Sequence, residues 1–310
     1  MQRFGNKGKQ QIERGFILVL VLWSVVLLAL LAAGFSKSVR TYIRSATSDQ
    51  EIARAEAFAD GGVNLALLDL VSARQKGPAQ RRFAPNGAAA GCHTGDGALV
   101  FIRIEDEAGK VNLNLANESL LAALFAGVGA PSDQASAYAA RVLDFRDADD
   151  DVQPNGAEDA DYAAAGSPVG PKNGPFDTID ELDQVLGLPP GFLDKVKPFI
   201  TVHSGQKGVD TTTAPPVLEA ILDAASAQSA TGGLDRISGT LAEFASRSNR
   251  RAYTIHALAR MPTGVQYVSQ AVVEFPELSL PRYQLRQWRR GGATEALKDS
   301  ATDPDDLPPC

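Results

Sequence analysis

The stretch Arg14–Phe35, RGFILVLVLWSVVLLALLAAGF, decides how the rest of the chain is read. From Phe16 to Phe35 it carries no charge in 20 positions. Wound as an α-helix, a run of that length rises about 30 Å, the thickness of a bilayer's hydrocarbon core. The reading is a single transmembrane helix over 16–35, since no second apolar run of membrane length follows. Arg3, Lys7, Lys9 and Arg14 precede it against Glu13, and Lys37, Arg40 and Arg44 follow it. Basic residues on both sides leave the positive-inside rule little leverage on orientation. Three processing schemes fit. A secretory signal would be cut near Ala32-Ala33-Gly34, and a signal anchor would stay whole. A leader cut between Gly15 and Phe16 would leave the apolar helix on the mature chain.

Outward from the helix the composition changes. Of 30 Lys and Arg and 37 Asp and Glu in 310 residues, all but four of the bases and one of the acids lie from Ser36 onward. The formal charge of −7 weighs against a nucleic-acid binder that works by neutralising phosphates. Two cysteines and three histidines exclude a disulfide framework and a Cys/His-rich metal site. Cys92 and Cys310 could pair in an oxidising compartment, although Cys310 ends a tail that reads as loose. No G-x-S-x-G, H-E-x-x-H or P-loop pattern is present. His93, His203 and His256 stand far apart, and each reads as a surface or capping histidine. The chain is read as a non-enzyme.

Periodicity supplies the elements. Ile52, Ala55, Ala59, Val63, Ala66 and Leu70 form one apolar helical face. This predicts one long helix over about 16–74, broken somewhere in 36–48 and weakened at Gly61-Gly62. Residues 75–97 read as loop. Branched and alternating patterns predict strands at Leu99–Glu105, Ala252–Arg260, Val265–Phe275 and Tyr283–Arg289, with Met261-Pro262-Thr263-Gly264 turning a hairpin. Trp288 is expected to cover the strand core. Between the first strand and the others, helices are predicted at Glu118–Phe125, Ser132–Phe145, Ile179–Leu186, Phe192–Phe199, Pro215–Ala227 and Ile237–Ser246. The fold class is therefore α+β: a long N-terminal helix, half transmembrane and half packed, on a small antiparallel sheet that a large α-helical insert interrupts. The expected parts are a leader over 1–15, the transmembrane helix over 16–35, an α/β body over 36–106 and 247–290, an insert over 107–246, and a flexible acidic tail over 291–310.

The insert repeats itself at an offset of 98. Val111-Asn112-Leu113-Asn114-Leu115-Ala116 leads to Leu120 and Leu124, and Val209-Asp210-Thr211-Thr212-Thr213-Ala214 leads to Leu218 and Leu222. Each copy reads as an extended piece, a polar cap and a helix. Gly187-Leu188-Pro189-Pro190-Gly191, set between two short helices, resembles a helix-hairpin-helix. Lys195 and Lys197 stand there among Asp177, Asp180, Glu181, Asp183 and Asp194, which favours packing over phosphate binding.

Asp144–Asp161, DFRDADDDVQPNGAEDAD, is the chemical motif, with eight carboxylates and one arginine in 18 residues. Asp147, Asp149, Asp151 and Glu158 fall at positions 1, 3, 5 and 12 of an EF-hand loop. Val152 at position 6 and Pro154 at position 8 exclude ordinary EF-hand backbone. A different oxygen cage for a hard cation remains, and so does a solvated acidic loop. Crowded carboxylates without a cation disfavour order.

The basic leader ending Gly15-Phe16 is similar to the type III signal of prepilins and pseudopilins. Leu20 stands at the fifth mature position, where most such subunits carry Glu; a carboxylate there would cost a few kcal/mol in lipid unless paired. That departure, the strand–insert–strand plan, the acidic loop and Ala271-Val272-Val273 before Trp288-Arg289 together resemble the minor pseudopilin K family of type II secretion systems (general secretion pathway protein K). The resemblance implies cleavage after Gly15 by prepilin peptidase and methylation of Phe16. It implies a single-pass protein of the bacterial inner membrane with a periplasmic C-terminal domain. Its partners would be the minor pseudopilins I and J, at the tip of a pseudopilus that exports folded proteins across the outer membrane. It also implies structural calcium on Asp147, Asp149 and Glu158 first, then Asp151 and Asp161, with Asn173 adding a carbonyl. The rival reading is a membrane-anchored periplasmic DNA-binding protein of the competence type, built on the helix-hairpin-helix; the acidic balance opposes it.

Overall fold

The computed structural model describes residues 7–76, 81–230, 244–276, 283–291 and 307–310. Two compact units emerge, residues 1–54 and residues 55–310.

The first unit is helical. Helix α1 (Lys7–Lys76) contributes its first part here, and the break expected in 36–48 is absent from its backbone. Charged and polar residues in 36–50 do not interrupt a helix whose neighbours on both sides are strongly helical. Ile17–Val39 forms a span of 23 residues with mean hydropathy 2.8, its side chains exposed. Ser24, within that span, donates its hydroxyl to the Leu20 carbonyl at 2.7 Å, so its polar group is met inside the helix.

The second unit holds the sheet. Strands β1 (Asn86–His93) and β2 (Leu99–Asp106) come before the inserted stretch. Strands β5 (Ala252–Arg260), β6 (Gln266–Glu274) and β7 (Gln284–Arg290) follow it. The order is β1-β2-β5-β6-β7, antiparallel throughout. Four strands match the sequence reading within a residue or two. β1 does not: residues 75–97 read as loop, because Asn-Gly-Ala-Ala-Ala-Gly-Cys-His lacks branched residues. Its pairing with β2 makes it a strand.

Ala55, Ala59, Val63, Ala66 and Leu70 of α1 are buried as predicted, while Ile52 is exposed. Val63, Ala66 and Leu70 pack on Ile102, Ile104, Ile255, Ala257, Ala271 and Val273, with Trp288 at the margin. Gly62 permits the close approach: a Cβ there would meet Val100 at 2.8 Å and Ala257 at 2.9 Å.

Between β2 and β5 lies a second core. Its elements are β3 (Val111–Asn112), α2 (Glu118–Gly127), α3 (Ser132–Arg146), α4 (Asp159–Ala164), α5 (Phe192–Val196), β4 (Ile200–Thr201) and α6 (Pro216–Ala230). Ile179–Gln184 is a 3-10 turn where a longer helix was expected, and the predicted helix Phe192–Phe199 is helical throughout, α over Phe192–Val196 and 3-10 over Lys197–Phe199. Pro189 and Pro190 leave room for only short pieces on either side of the hairpin. The hairpin glycines Gly187 and Gly191 both take positive φ. The predicted helix Ile237–Ser246 falls mostly outside the described residues. Its end, Phe244, is buried, and Ala245 bridges Val209.

The repeat at offset 98 is structural. The Asn112 carbonyl accepts from Leu115 and Ala116 N–H, and the Asp210 carbonyl accepts from Thr213 and Ala214 N–H. In each copy the side chain repeats the turn: Asn112 Oδ1 takes Asn114 N–H at 2.8 Å, and Asp210 Oδ1 takes Thr212 N–H at 2.9 Å. Leu120, Leu124, Leu218 and Leu222 all enter the same core.

Two expectations are corrected at the termini of the sheet. Residues 292–306 of the predicted loose tail lie outside the described residues, but Leu307–Cys310 is fixed. Cys310 is disulfide-bonded to Cys92, His93 N–H donates to Pro308 O, and Cys310 N–H donates to His93 O. Leu307 is buried on Phe101, Leu258 and Val268. His256, read as a surface or capping histidine, is buried on β5.

Candidate functional site

The acidic loop grows from the end of α3. Asn114 fixes its surroundings, donating from Nδ2 to Phe176 O and accepting Phe176 N–H on Oδ1. Arg146, the one arginine of the motif, turns away: its guanidinium donates to the Leu113 and Ala116 carbonyls. Among the described residues it forms no ion pair with the motif's carboxylates and acts on Asp147 only through space, lowering it less than burial and Asp149 raise it.

Asp144 lies fully buried at the centre. Its Oδ2 accepts from Ala157 N–H at 2.8 Å and Gln153 N–H at 3.3 Å, and the loop wraps it tightly. A Cβ on Gly156 would come within 1.9 Å of that oxygen, so glycine is required there. Asn155 beside it takes a positive φ of 69°. Asn173, also at positive φ, is anchored by its N–H to Phe145 O at 3.1 Å.

Five buried oxygens of this loop have no hydrogen-bond partner: Asp144 Oδ1, Asp147 Oδ1, both carboxylate oxygens of Glu158, and Asn173 Oδ1. Burial and crowding act on the acids in one direction. Glu158 is pushed up to about 7 by burial, then by Asp144, Asp147, Asp150 and Asp149. Asp144 is raised by burial and by Asp147 and Asp149, and Asp147 by burial and Asp149. A hard cation bound by oxygen ligands would meet these unsatisfied acceptors. Among the described residues, no three His, Cys, Asp or Glu side chains are already gathered into a finished cage. The residues fit a cation by donor type, burial and charge.

The predicted ligands separate. Asp147 lies close enough to raise Glu158; Asp147 Oδ1 and both Glu158 oxygens are unmet, while Asp147 Oδ2 accepts from Gln153 Nε2 at 3.5 Å. Asp149 is exposed, with Oδ1 accepting Asp151 N–H at 3.1 Å, and Asp151 is exposed too. Asp161 Oδ2 accepts Glu158 N–H at 3.1 Å, which ties it to the start of α4. Asn173 joins the site through its orphan carbonyl. Asp144 was absent from the predicted ligand set. Its place on the buried face of α3, one helical turn before the motif's first EF-hand position, was the available signal. Gly15 and Phe16 lie within the helical backbone of α1.

Of the two hairpin lysines, Lys195 is exposed and Lys197 is engaged in an ion pair. Lys197 pairs with Asp180 at 2.9 Å, and Asp180 also takes Arg289 at 3.0 Å.

A sheet interrupted between β2 and β5, preceded in sequence by a helix whose first part is long and apolar enough to cross a membrane, defines an α+β chain with one candidate membrane span. Residues 99–205 match the family described as type II secretion system protein K. The type II secretion system protein K of Klebsiella pneumoniae is 26% identical over 230 residues, covering 68% of this chain and 70% of that one. The fold resembles a chain in the solved GspK-GspI-GspJ complex from the type 2 secretion system of enterotoxigenic Escherichia coli. The TM-score is 0.57 at 16% identity, over 80% of this chain and 100% of that chain. Family match, relative and fold agree in one direction: the chain is similar to type II secretion system protein K.

Proposed function

We propose that this chain is a non-enzymatic minor pseudopilin. It stands at the tip of a type II secretion pseudopilus, where it helps initiate assembly and the export of folded proteins across the outer membrane. The carrying observation is the apolar span Ile17–Val39, set directly after Gly15-Phe16 in a chain similar to protein K. The span anchors the protein once in the bacterial inner membrane, with residues 55–310 in the periplasm. Prepilin peptidase cuts after Gly15 and the Phe16 amine is methylated. The partners are the minor pseudopilins I and J; the similar solved chain was captured with GspI and GspJ. The acidic loop holds structural calcium through Asp147 and Glu158, with Asp144, Asn173 and Asp149 as supporting oxygens. Nucleic acid is not a partner, since the paired hairpin lysine and the acidic balance both oppose phosphate binding.

Mass spectrometry of the membrane-extracted protein tests the assignment. The expected mature chain begins at N-methylated Phe16 and co-purifies with pseudopilins I and J. An intact leader, or a start beyond Gly34, would sink the pseudopilin reading.

A further inference from the structure

Strand register lines up four nitrogen-bearing side chains. Arg103 pairs with His256, His256 with Gln270, and Gln270 with Arg289, one row across β2, β5, β6 and β7. Their sequence neighbours Ile102, Ile104, Ile255, Ala257, Ala271 and Trp288 pack toward α1, so alternation sets the row on the opposite face. The row floors a cleft of about 380 Å³, a size suited to a small ligand. Its far wall is the inserted stretch, with Lys197, Thr201 and His203.

The floor has unmet polar atoms. His256 is 6% exposed, and its Nδ1 has no hydrogen-bond partner. Arg103 Nε is buried without one as well. Charge around the cleft is lopsided. Lys197 and Arg289 share the single carboxylate of Asp180, and Arg251 and Arg286 share that of Glu274. Arg103 and Lys110 are balanced by Glu105 and Glu107. Only at Lys172 is the sharing reversed, between Asp177 and Glu181. Cations thus exceed carboxylates by one with both histidines neutral, in a chain whose formal charge is −7.

We propose that this cleft binds a carboxylate-bearing anion, with Arg103, His256, Gln270 and Arg289 beneath it and Lys197 above. The planar guanidinium fork matches a carboxylate's two oxygens. An excess of one charge suits a carboxylate better than a phosphate dianion. The carboxylate comes either from a free polycarboxylate or from an acidic segment of a protein.

The chain's three histidines make the test simple. The full chain is prepared in detergent micelles with isotope-labelled histidine, and the imidazole signals are followed by NMR. Citrate is titrated at constant ionic strength, and a tetraglutamate peptide is titrated in a second arm. Saturable shifts of His203 and His256 are expected, with His93 on β1 unmoved as the internal control. Gln270→Leu removes an uncharged donor and Arg289→Gln leaves Asp180 its Lys197 partner; each should weaken binding about tenfold. Tighter binding of citrate supports a free anion, and tighter binding of the peptide supports a protein-borne carboxylate. Absence of saturable shifts from both probes, equal shifts from sodium chloride, or affinity unchanged in both variants would overturn the proposal.

Discussion

At Glu158, burial and four neighbouring carboxylates act in the same direction. The folded chain holds this proton more tightly than the unfolded chain, whose glutamate titrates near its ordinary value. In metal-free protein this group therefore contributes no penalty at low pH. Its destabilising effect grows as pH rises from the ordinary carboxylate range to about 7. Calcium at the loop would replace the proton and cancel that loss. Thermal unfolding in a calcium chelator and in calcium, at pH 5 and pH 7.5, reads this directly. Calcium should raise Tm more at pH 7.5 than at pH 5. Glu158→Gln should stabilise the chelated protein at pH 7.5 and shrink the calcium response. If calcium leaves Tm unchanged at both pH values, the loop is a solvated acidic turn.

The junction between sheet and inserted stretch is held by an ionic cluster at the end of β2. The 3-10 turn Glu107–Gly109 buries Glu107, which accepts from Thr201 of β4 and Thr254 of β5. Lys110 reaches Glu107 at 2.7 Å and Glu105 at 2.9 Å. Burial opposes ionisation of all three. Their mutual attraction outweighs it, holding Glu107 low, Glu105 well below the usual range and Lys110 above its ordinary value. The stability from the depressed acids is present above the unfolded carboxylate pKa and is lost as pH falls through their folded values. Lys110→Met would strand Glu107 as a buried charge, at a cost of about 3–5 kcal/mol. Urea unfolding of the full chain at pH 7.5 should show that loss, and a smaller one at acidic pH where Glu107 takes up a proton. A variant as stable as its parent would mean the cluster contributes nothing net.

Across the whole molecule, the Cys92–Cys310 disulfide joins positions 218 residues apart and closes the chain over the β1 edge. Arg82 adds contacts to the Pro309 and Cys310 carbonyls. A cross-link over so long a loop restricts the unfolded chain strongly, so Cys310→Ser should cost roughly 2–5 kcal/mol. Denaturation of the oxidised parent against the variant measures it; equal midpoints would assign the closure to Leu307 and Arg82 alone.

The apolar span, four of the five strands, the buried face of α1 and the offset-98 repeat were legible in the sequence. Each rests on local chemistry: length without charge, alternation, helical spacing or a side-chain turn. Asp147, Glu158 and Asn173 were legible as oxygen donors by residue type and position. Tertiary structure alone decided the rest. β1 has weak strand propensity and exists because β2 offers it a ladder. Asp144 becomes central because α3 buries it and Gly156 lets the loop close over it. His256 enters a cleft because register sets it beside Arg103 and Gln270. The pairing of Cys92 with Cys310 required the chain's end to return to β1. Such long-range contacts depend on where distant segments meet, and local sequence carries no record of that.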